Sequence, residues 1–420
     1  MKRQLIALVG ALAAALAIVA GPAQAQSVQG VEQYAGTGQS ADSNASSTQV
    51  APKNSNISVR IFSPGDGGEV SQSNTSAAGS AAGNTASTIQ AVGQAQGGGG
   101  GEQAVGQEAD TGQVASSSAE STQYKPSNSN ISVRIHSPGD DGDVSQSNTS
   151  LAMSKAGNKA ETTQAVDQAQ GGGDEGGKHG KCCHGAGVQA VGQKAETWQK
   201  AESGAESVQL HPRNENISVR VGSKGDNGSV SQENKSAALS FAGNAASTEQ
   251  DVEQSQGGGC GCASDLVQAV GQKAETGQWA DSRATSFQKG AKNTNAPVRI
   301  HSEGDDGDVE QSNTSLALSA ALNAAKTEQG VAQHQGGRCP CDDRHKSGGA
   351  GVQAVGQWAE TWQQADSVAT SEQLFASNTH APVREKSKGG GGSVSQSNSS
   401  RAGSVALNLA RTLQWVRQDQ

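Results

Sequence analysis

The hydrophobic and polar positions of this chain alternate with a period of two, and the alternation repeats. From Gln29 in steps of two the residues read Gln, Val, Gln, Ala, Thr, Gln, Ala, Ser, Ala, Ser, Gln, ending at Gln49, and the same series starts at Gln103, Gln189, Gln268 and Gln353. A second series runs from Gln72 through Asn, Ser, Ala, Ser, Ala, Asn, Ala, Thr, Gln, Val, Gln, Gln, and recurs from Gln146, Gln232, Gln311 and Gln396. The intervening residues vary freely. A helix has no reason to fix every second side chain, whereas a β-strand sends successive side chains to opposite faces. Helix propensity in segments such as Leu316 to Gln333 is outweighed by five copies of this pattern.

The repeats set the organisation. The Val of a Val-Arg dipeptide lies 26 residues beyond Gln33, Gln107, Gln193, Gln272 and Gln357, with no insertion in any copy. The predicted fold is therefore all-β, a β-solenoid of stacked strand-turn-strand coils built from five modules. The modules are 26–101, 102–187, 188–266, 267–351 and 352–420, with length variation confined to Gly-rich linkers. Strands usually run about 3–10 residues, so each series is expected to bend near its Ala-Gly-Asn or Ser-Gly-Ala sites. That gives roughly three coils per module, about fifteen in all, and a stack on the order of 70 Å long. Asn214 and Asn216 are expected at a corner before a short strand from Ile217 to Val221.

Residues 1–25 read as a secretory signal peptide. Lys2 and Arg3 precede an apolar run from Leu5 to Val19, and Ala23-Gln24-Ala25 offers a cleavage site. The apolar run is too short for a membrane anchor, so a secreted product at or outside the cell surface is expected, without membrane insertion. Removing Lys2 and Arg3 leaves 29 basic against 40 acidic residues, a net charge near −11, which argues against nucleic acid. Aromatic residues make up 3% and all apolar residues 33%, too little for an ordinary core. Stacked backbone hydrogen bonds and ladders of identical polar side chains would have to replace it.

The second series resembles the curlin repeat of curli-type functional amyloid. The likeness rests on Asn84-x-Ala86-x-Thr88-x-Gln90 and its copies at Asn158 to Gln164, Asn244 to Gln250, Asn323 to Gln329 and Asn408 to Gln414. Thr stands where that family has Val, and Gly79 and Ala81 stand where it has Gln and Gly. The resemblance implies inward Asn and Gln that hydrogen-bond to their equivalents above and below. It also implies self-association, alone or with other curlin-like subunits, into an extracellular fibre for biofilm or adhesion. With no cap after the last series, an open C-terminal end would template another copy.

Other features admit other readings. Trp198, Trp279, Trp358, Trp362 and Trp415 lie on the variable parity and should point outward, towards a glycan, a mineral surface or a neighbouring loop. The six cysteines, Cys182, Cys183, Cys260, Cys262, Cys339 and Cys341, fall in linkers and suit disulfides between loops or subunits. His179, Cys182, Cys183 and His184, or Cys339, Cys341 and His345, could instead hold a soft metal. Asp140 to Asp143 and Asp305 to Asp308 could bind Ca²⁺ or form plain turns. Arg60, Arg134, Arg220, Arg299 and Arg384 are expected to form a charged row or to pair with acids. No nucleophile–base pairing or phosphate loop stands out. The expectation is a structural protein with no cofactor, not an enzyme.

Overall fold

Alternation this regular leaves the backbone no option but extended strands, and the computed structural model is all-β. It describes residues 27–97, 101–171, 187–257, 266–336 and 351–419, and these form sixteen strands. The first series of each module is one continuous strand: β1 (Ser27–Val50), β4 (Gly101–Tyr124), β7 (Gly187–Leu210), β10 (Leu266–Lys289) and β13 (Gly351–Leu374). A short strand follows: β2 (Lys53–Ile61), β5 (Ser127–Ile135), β8 (Arg213–Val221) and β11 (Lys292–Ile300). In the last module it is split into β14 (Ser377–His380) and β15 (Val383–Glu385). The second series forms β3 (Val70–Gly97), β6 (Val144–Gly171), β9 (Val230–Gly257), β12 (Val309–Gly336) and β16 (Val394–Asp419).

Equivalent strands pair in parallel, giving three sheets. The long sheets run β1-β4-β7-β10-β13 and β3-β6-β9-β12-β16, and the short strands form the third. The register places each module on the next without slippage, so Gln33, Gln107, Gln193, Gln272 and Gln357 occupy one column. One module is thus one coil. The expectation of three coils per module is corrected: five coils at ~4.8 Å make a stack about 24 Å tall, not 70 Å. Strands of 24 and 28 residues run through the sites expected to bend. Each long strand pairs with its copy in register from end to end, so the ladder holds it straight through those sites.

The corners also differ from expectation. The chain turns at Ala51, Lys125, His211, Gly290 and Phe375, and again at Phe62, His136, Gly222, His301 and Lys386, all with φ between 49° and 67°. Asn214 and Asn216 lie inside β8 rather than at a corner.

The two long sheets face each other across a thin interior whose halves mirror one another. Val31 and Val92 share a column cluster with their copies, as do Ala45 and Ala78. Ser47 meets Ser76 at 2.9 Å and Ser43 meets Ser80 at 2.8 Å. Like side chain meets like side chain, because the first series read forwards closely matches the second read backwards.

Candidate functional site

The built feature of this molecule is its interior. In a parallel in-register stack every inward side chain meets its own copy ~4.8 Å above and below. Asn and Gln can donate to and accept from themselves. Gln199 Nε2 donates to Gln113 Oε1 at 2.8 Å, and Gln278 Nε2 donates to Gln199 Oε1 at 2.8 Å. The second N–H of each amide reaches across the interior, to Ala245 O at 3.0 Å and Ala324 O at 2.9 Å. Both donors are satisfied, as burial requires.

The curlin-like residues sit in such ladders. Asn84 donates to Asn158, Asn158 to Asn244, Asn244 to Asn323 and Asn323 to Asn408, at 2.9–3.0 Å. Gln164 donates to Gln90, Gln250 to Gln164 and Gln329 to Gln250, each at 2.7 Å, and Gln414 continues the column to Gln329. The two ladder types run in opposite senses. Glutamine amides donate towards the first coil and these asparagines towards the last, so their aligned dipoles oppose one another.

Serine takes part in the ladders as expected of the polar face, but it links the two sheets rather than stacking within one. One column zigzags between the two long sheets along the stack. It passes through Ser47, Ser76, Ser121, Ser150, Ser207, Ser236, Ser286, Ser315, Ser371 and Ser400, with O···O distances of 2.9–3.0 Å. A hydroxyl both donates and accepts, so the chain is self-satisfying. The recurring Ser at fixed parity was the available signal.

The arginine row is the one column that cannot bond to itself, because guanidinium only donates. Arg134, Arg220 and Arg299 are buried. Seven residues after each arginine of the row stands Gly67, Asp141, Asn227, Asp306 or Gly391. Asp141 accepts from Arg134 Nε at 2.6 Å and contacts Arg220 Nη2 of the next coil at 3.1 Å. Asp306 pairs with Arg299 Nε at 2.8 Å and Arg384 Nη2 at 2.7 Å. One carboxylate therefore serves two guanidiniums. Turn carbonyls take most of the remaining donors, including Gly65 O and Asp140 O for Arg134 and Gly139 O for Arg220. Asn227 replaces a carboxylate between the two acids and donates to Asp306 Oδ1 at 3.2 Å. Burial pushes the Asp141 carboxyl up, but Arg220, Arg134 and the Ser218 hydroxyl hold it below the ordinary value. Burial, with Arg299 and Arg134 nearby, lowers Arg220 despite Asp141.

The acidic turns have a structural use. Asp140 Oδ1 accepts the Asp226 amide at 2.8 Å, and Asp226 Oδ1 accepts the Asp305 amide at 2.7 Å, tying successive turns together. Among the described residues, no group of three or more His, Cys, Asp or Glu could hold a metal ion. His179, Cys182, Cys183, His184, Cys260, Cys262, Cys339, Cys341 and His345 lie outside the described residues.

Four tryptophans occupy the outer face of the first long sheet. Trp198 and Trp362 share a column, Trp279 is two residues to one side and Trp358 four to the other. They are 40–61% exposed. Trp198 lies across Gly277 of the next coil, where a Cβ would collide with the indole. Trp415 lies on the outer face of the other long sheet, across Gly330. Beside the Trp patch Lys194 bridges Glu108 at 2.9 Å and Glu196 at 2.7 Å, pairings that raise its ammonium pKa against the opposing effect of burial.

No protein-family model, curated protein or solved structure matches the chain.

Proposed function

We propose that this protein is a secreted, curlin-like structural subunit that stacks end to end into an extracellular fibre for biofilm or surface adhesion. The observation that supports this reading is the open stack. Among the described residues nothing pairs with the outer edges of β1, β2 and β3, or with those of β13 and β16. Long unpaired parallel edges are templates for another chain, and here each edge carries the same inward residues in the same register. Gln353 Oε1, in the last coil, is shielded and has no donor among the described residues. In the coils above it that oxygen accepts from the next glutamine, as Gln268 Oε1 accepts from Gln353 at 3.0 Å. Gln29 of an incoming chain would supply the missing donor.

The test is electron microscopy of chain 26–420 diluted from denaturant and followed in time. Unbranched fibres are expected. Discrete rods that never elongate would overturn the reading. They would favour a second one, a non-assembling adhesin that uses the clustered, exposed Trp198, Trp279, Trp358 and Trp362 to stack on glycan rings or mineral. Flat exposed aromatics ringed by charged groups suit such a surface.

A further inference from the structure

The turns after the short strands hold the coils together, and the two ends of the stack lack the groups that would continue the tie. Asp66 Oδ1 accepts the Asp140 amide of the next coil at 3.0 Å. Asp140 and Asp226 do the same for the amides of Asp226 and Asp305, and Asp305 accepts the Gly390 amide. The last coil has Gly390 in that column and no carboxylate to offer. At the other end, the Asp66 amide has no acceptor among the described residues.

The arginine row repeats this mismatch. Arg134, Arg220 and Arg299 each give Nε to the residue seven positions on, Asp141, Asn227 or Asp306, at 2.6–2.8 Å. Arg384 has Gly391 there, and its Nε reaches back to Asp306 of the preceding coil at 2.9 Å. Arg60 has Gly67 there, and among the described residues no coil precedes it. It is half-buried, and its one bond runs from Nη2 to Asp66 O at 2.7 Å. The last turn is also the most basic. Residues 384–393 carry Arg384, Lys386 and Lys388 against Glu385 alone, whereas 299–308 set Arg299 against Glu303, Asp305, Asp306 and Asp308.

A chain added to the last coil in the register of the modules would bring Arg60 over Gly391 and the Asp66 amide over Gly390. Its guanidinium would become as enclosed as those of Arg134, Arg220 and Arg299, which are 0–1% exposed. A buried charge without a counter-charge opposes stacking. We propose that each end-to-end junction takes up a small free carboxylate, of formate or acetate size, at Gly391 between Arg384 and the incoming Arg60. Acetate is the aspartate side chain cut at the Cα–Cβ bond, so glycine with acetate restores what Asp141 supplies. Asp141 uses one oxygen for Arg134 and the other for Arg220 of the next coil. Two oxygens on one small group favour a carboxylate over a halide. A Cβ at Gly391 meets nothing within 4 Å, and the backbone there is outside the left-handed region. The proposal rests on the stacking reading and adds its dependence on a ligand.

The test is elongation of fibre fragments by freshly desalted chain 26–420, with chloride exchanged for acetate at constant ionic strength. The readout is the chain left soluble at the plateau. It should fall with acetate, by up to about tenfold for each tenfold rise, as for one ligand taken up per added chain. Gly391→Asp supplies the carboxylate covalently and should reach the low plateau in chloride alone, without responding to acetate. Arg60→Gln removes the charge and should also lose the response. Wild-type fibres with equal plateaus in acetate and chloride overturn this proposal and leave the stacking reading standing. So do both variants responding to acetate as wild type does. If neither wild type nor Gly391→Asp forms fibres in either salt, the stacking reading falls and this one with it.

Discussion

Asp141→Asn isolates the charge of the arginine row with little change in shape. Asn already occupies this column at Asn227, where its Oδ1 accepts Arg220 Nε at 2.8 Å. The variant therefore keeps an acceptor for Arg134 but leaves Arg134 and Arg220, both buried, without the carboxylate they share. At an effective dielectric of about 20, each guanidinium–carboxylate contact near 4 Å amounts to about 4 kcal/mol before desolvation. Desolvation of the carboxylate offsets much of the two, and removing one partner of a buried pair costs about 3–5 kcal/mol. The turn carbonyls that already hold both arginines put the expectation at the lower end, about 3 kcal/mol. The assay is urea denaturation of freshly desalted chain 26–420 followed by circular dichroism. Hydrogen exchange should localise the loss to β5 and β8, since each coil touches only its neighbours. The pH dependence fixes the cause. The folded carboxyl is held below its unfolded value, so its contribution is complete above about pH 4–5 and is lost as pH falls through the folded value. The gap between wild type and variant should be constant near neutrality and close in acid. A gap under about 0.5 kcal/mol at pH 7, the range of an ordinary surface change, would refute the reasoning, as would a gap that widens in acid.

Gln250→Leu strands Gln164 Oε1 and one Gln329 Nε2 proton inside the stack and should destabilise by about 2–6 kcal/mol in the same assay, at about 1–3 kcal/mol for each stranded group. Gln414→Leu, in the last coil, should cost less, about 1–3 kcal/mol, because it strands only Gln329 Oε1 and no coil beyond it loses a bond. His380 replaces Asn in the column of Asn56, Asn130, Asn216 and Asn295, and Asn295 Nδ2 lies 3.1 Å from its Nδ1, which accepts only when the ring is neutral. Burial lowers the ring's pKa, with Asp306 opposing. The pairing of β14 should therefore be intact above about pH 6.5 and weaken as pH falls through the folded value, read as faster amide exchange in 377–380. His380→Asn should remove that step. Ala51→Gly should stabilise by up to about 1 kcal/mol in urea, because φ there is 50° and the equivalent corner between β10 and β11 already has Gly290.

The parity and the five modules were legible because they are properties of spacing alone. The coil count was not. The usual length of strands argued for bends at the Ala-Gly-Asn sites, yet Gly83 and Gly157 sit within unbroken strands that pair with their copies along their whole length. The corners were hidden for the opposite reason. Left-handed backbone is expected of glycine, and Ala51, Lys125, His211 and Phe375 give no such signal. The mirror relation was present in the letters, since Val31, Ala41, Ser43, Ala45 and Ser47 face Val92, Ala82, Ser80, Ala78 and Ser76. It becomes meaningful only once both series are single strands facing one another. That one aspartate serves two arginines could not be read within a module, because Asp141 and Arg220 belong to different coils.

The choice of inward residues follows from one constraint. A side chain stacked on its own copy must be chemically complementary to itself. Alanine and valine meet it by contact, and amides and hydroxyls meet it by carrying donor and acceptor together. Carboxylate and ammonium fail, and Asp306 is the only carboxylate among the fully buried described residues. Arginine also fails, so its column forces a departure from identity in the turn that faces it. Five stacked guanidiniums need acceptors from outside their own column, and the turn supplies carbonyls in every coil and a carboxylate in alternate ones. Adjacent carboxylates ~4.8 Å apart would repel strongly when buried, and the coil between Asp141 and Asp306 carries Asn227 instead, able to accept from Arg220 and donate to Asp306. The outer faces carry no such constraint, and there the sequence is free to place tryptophan or charge.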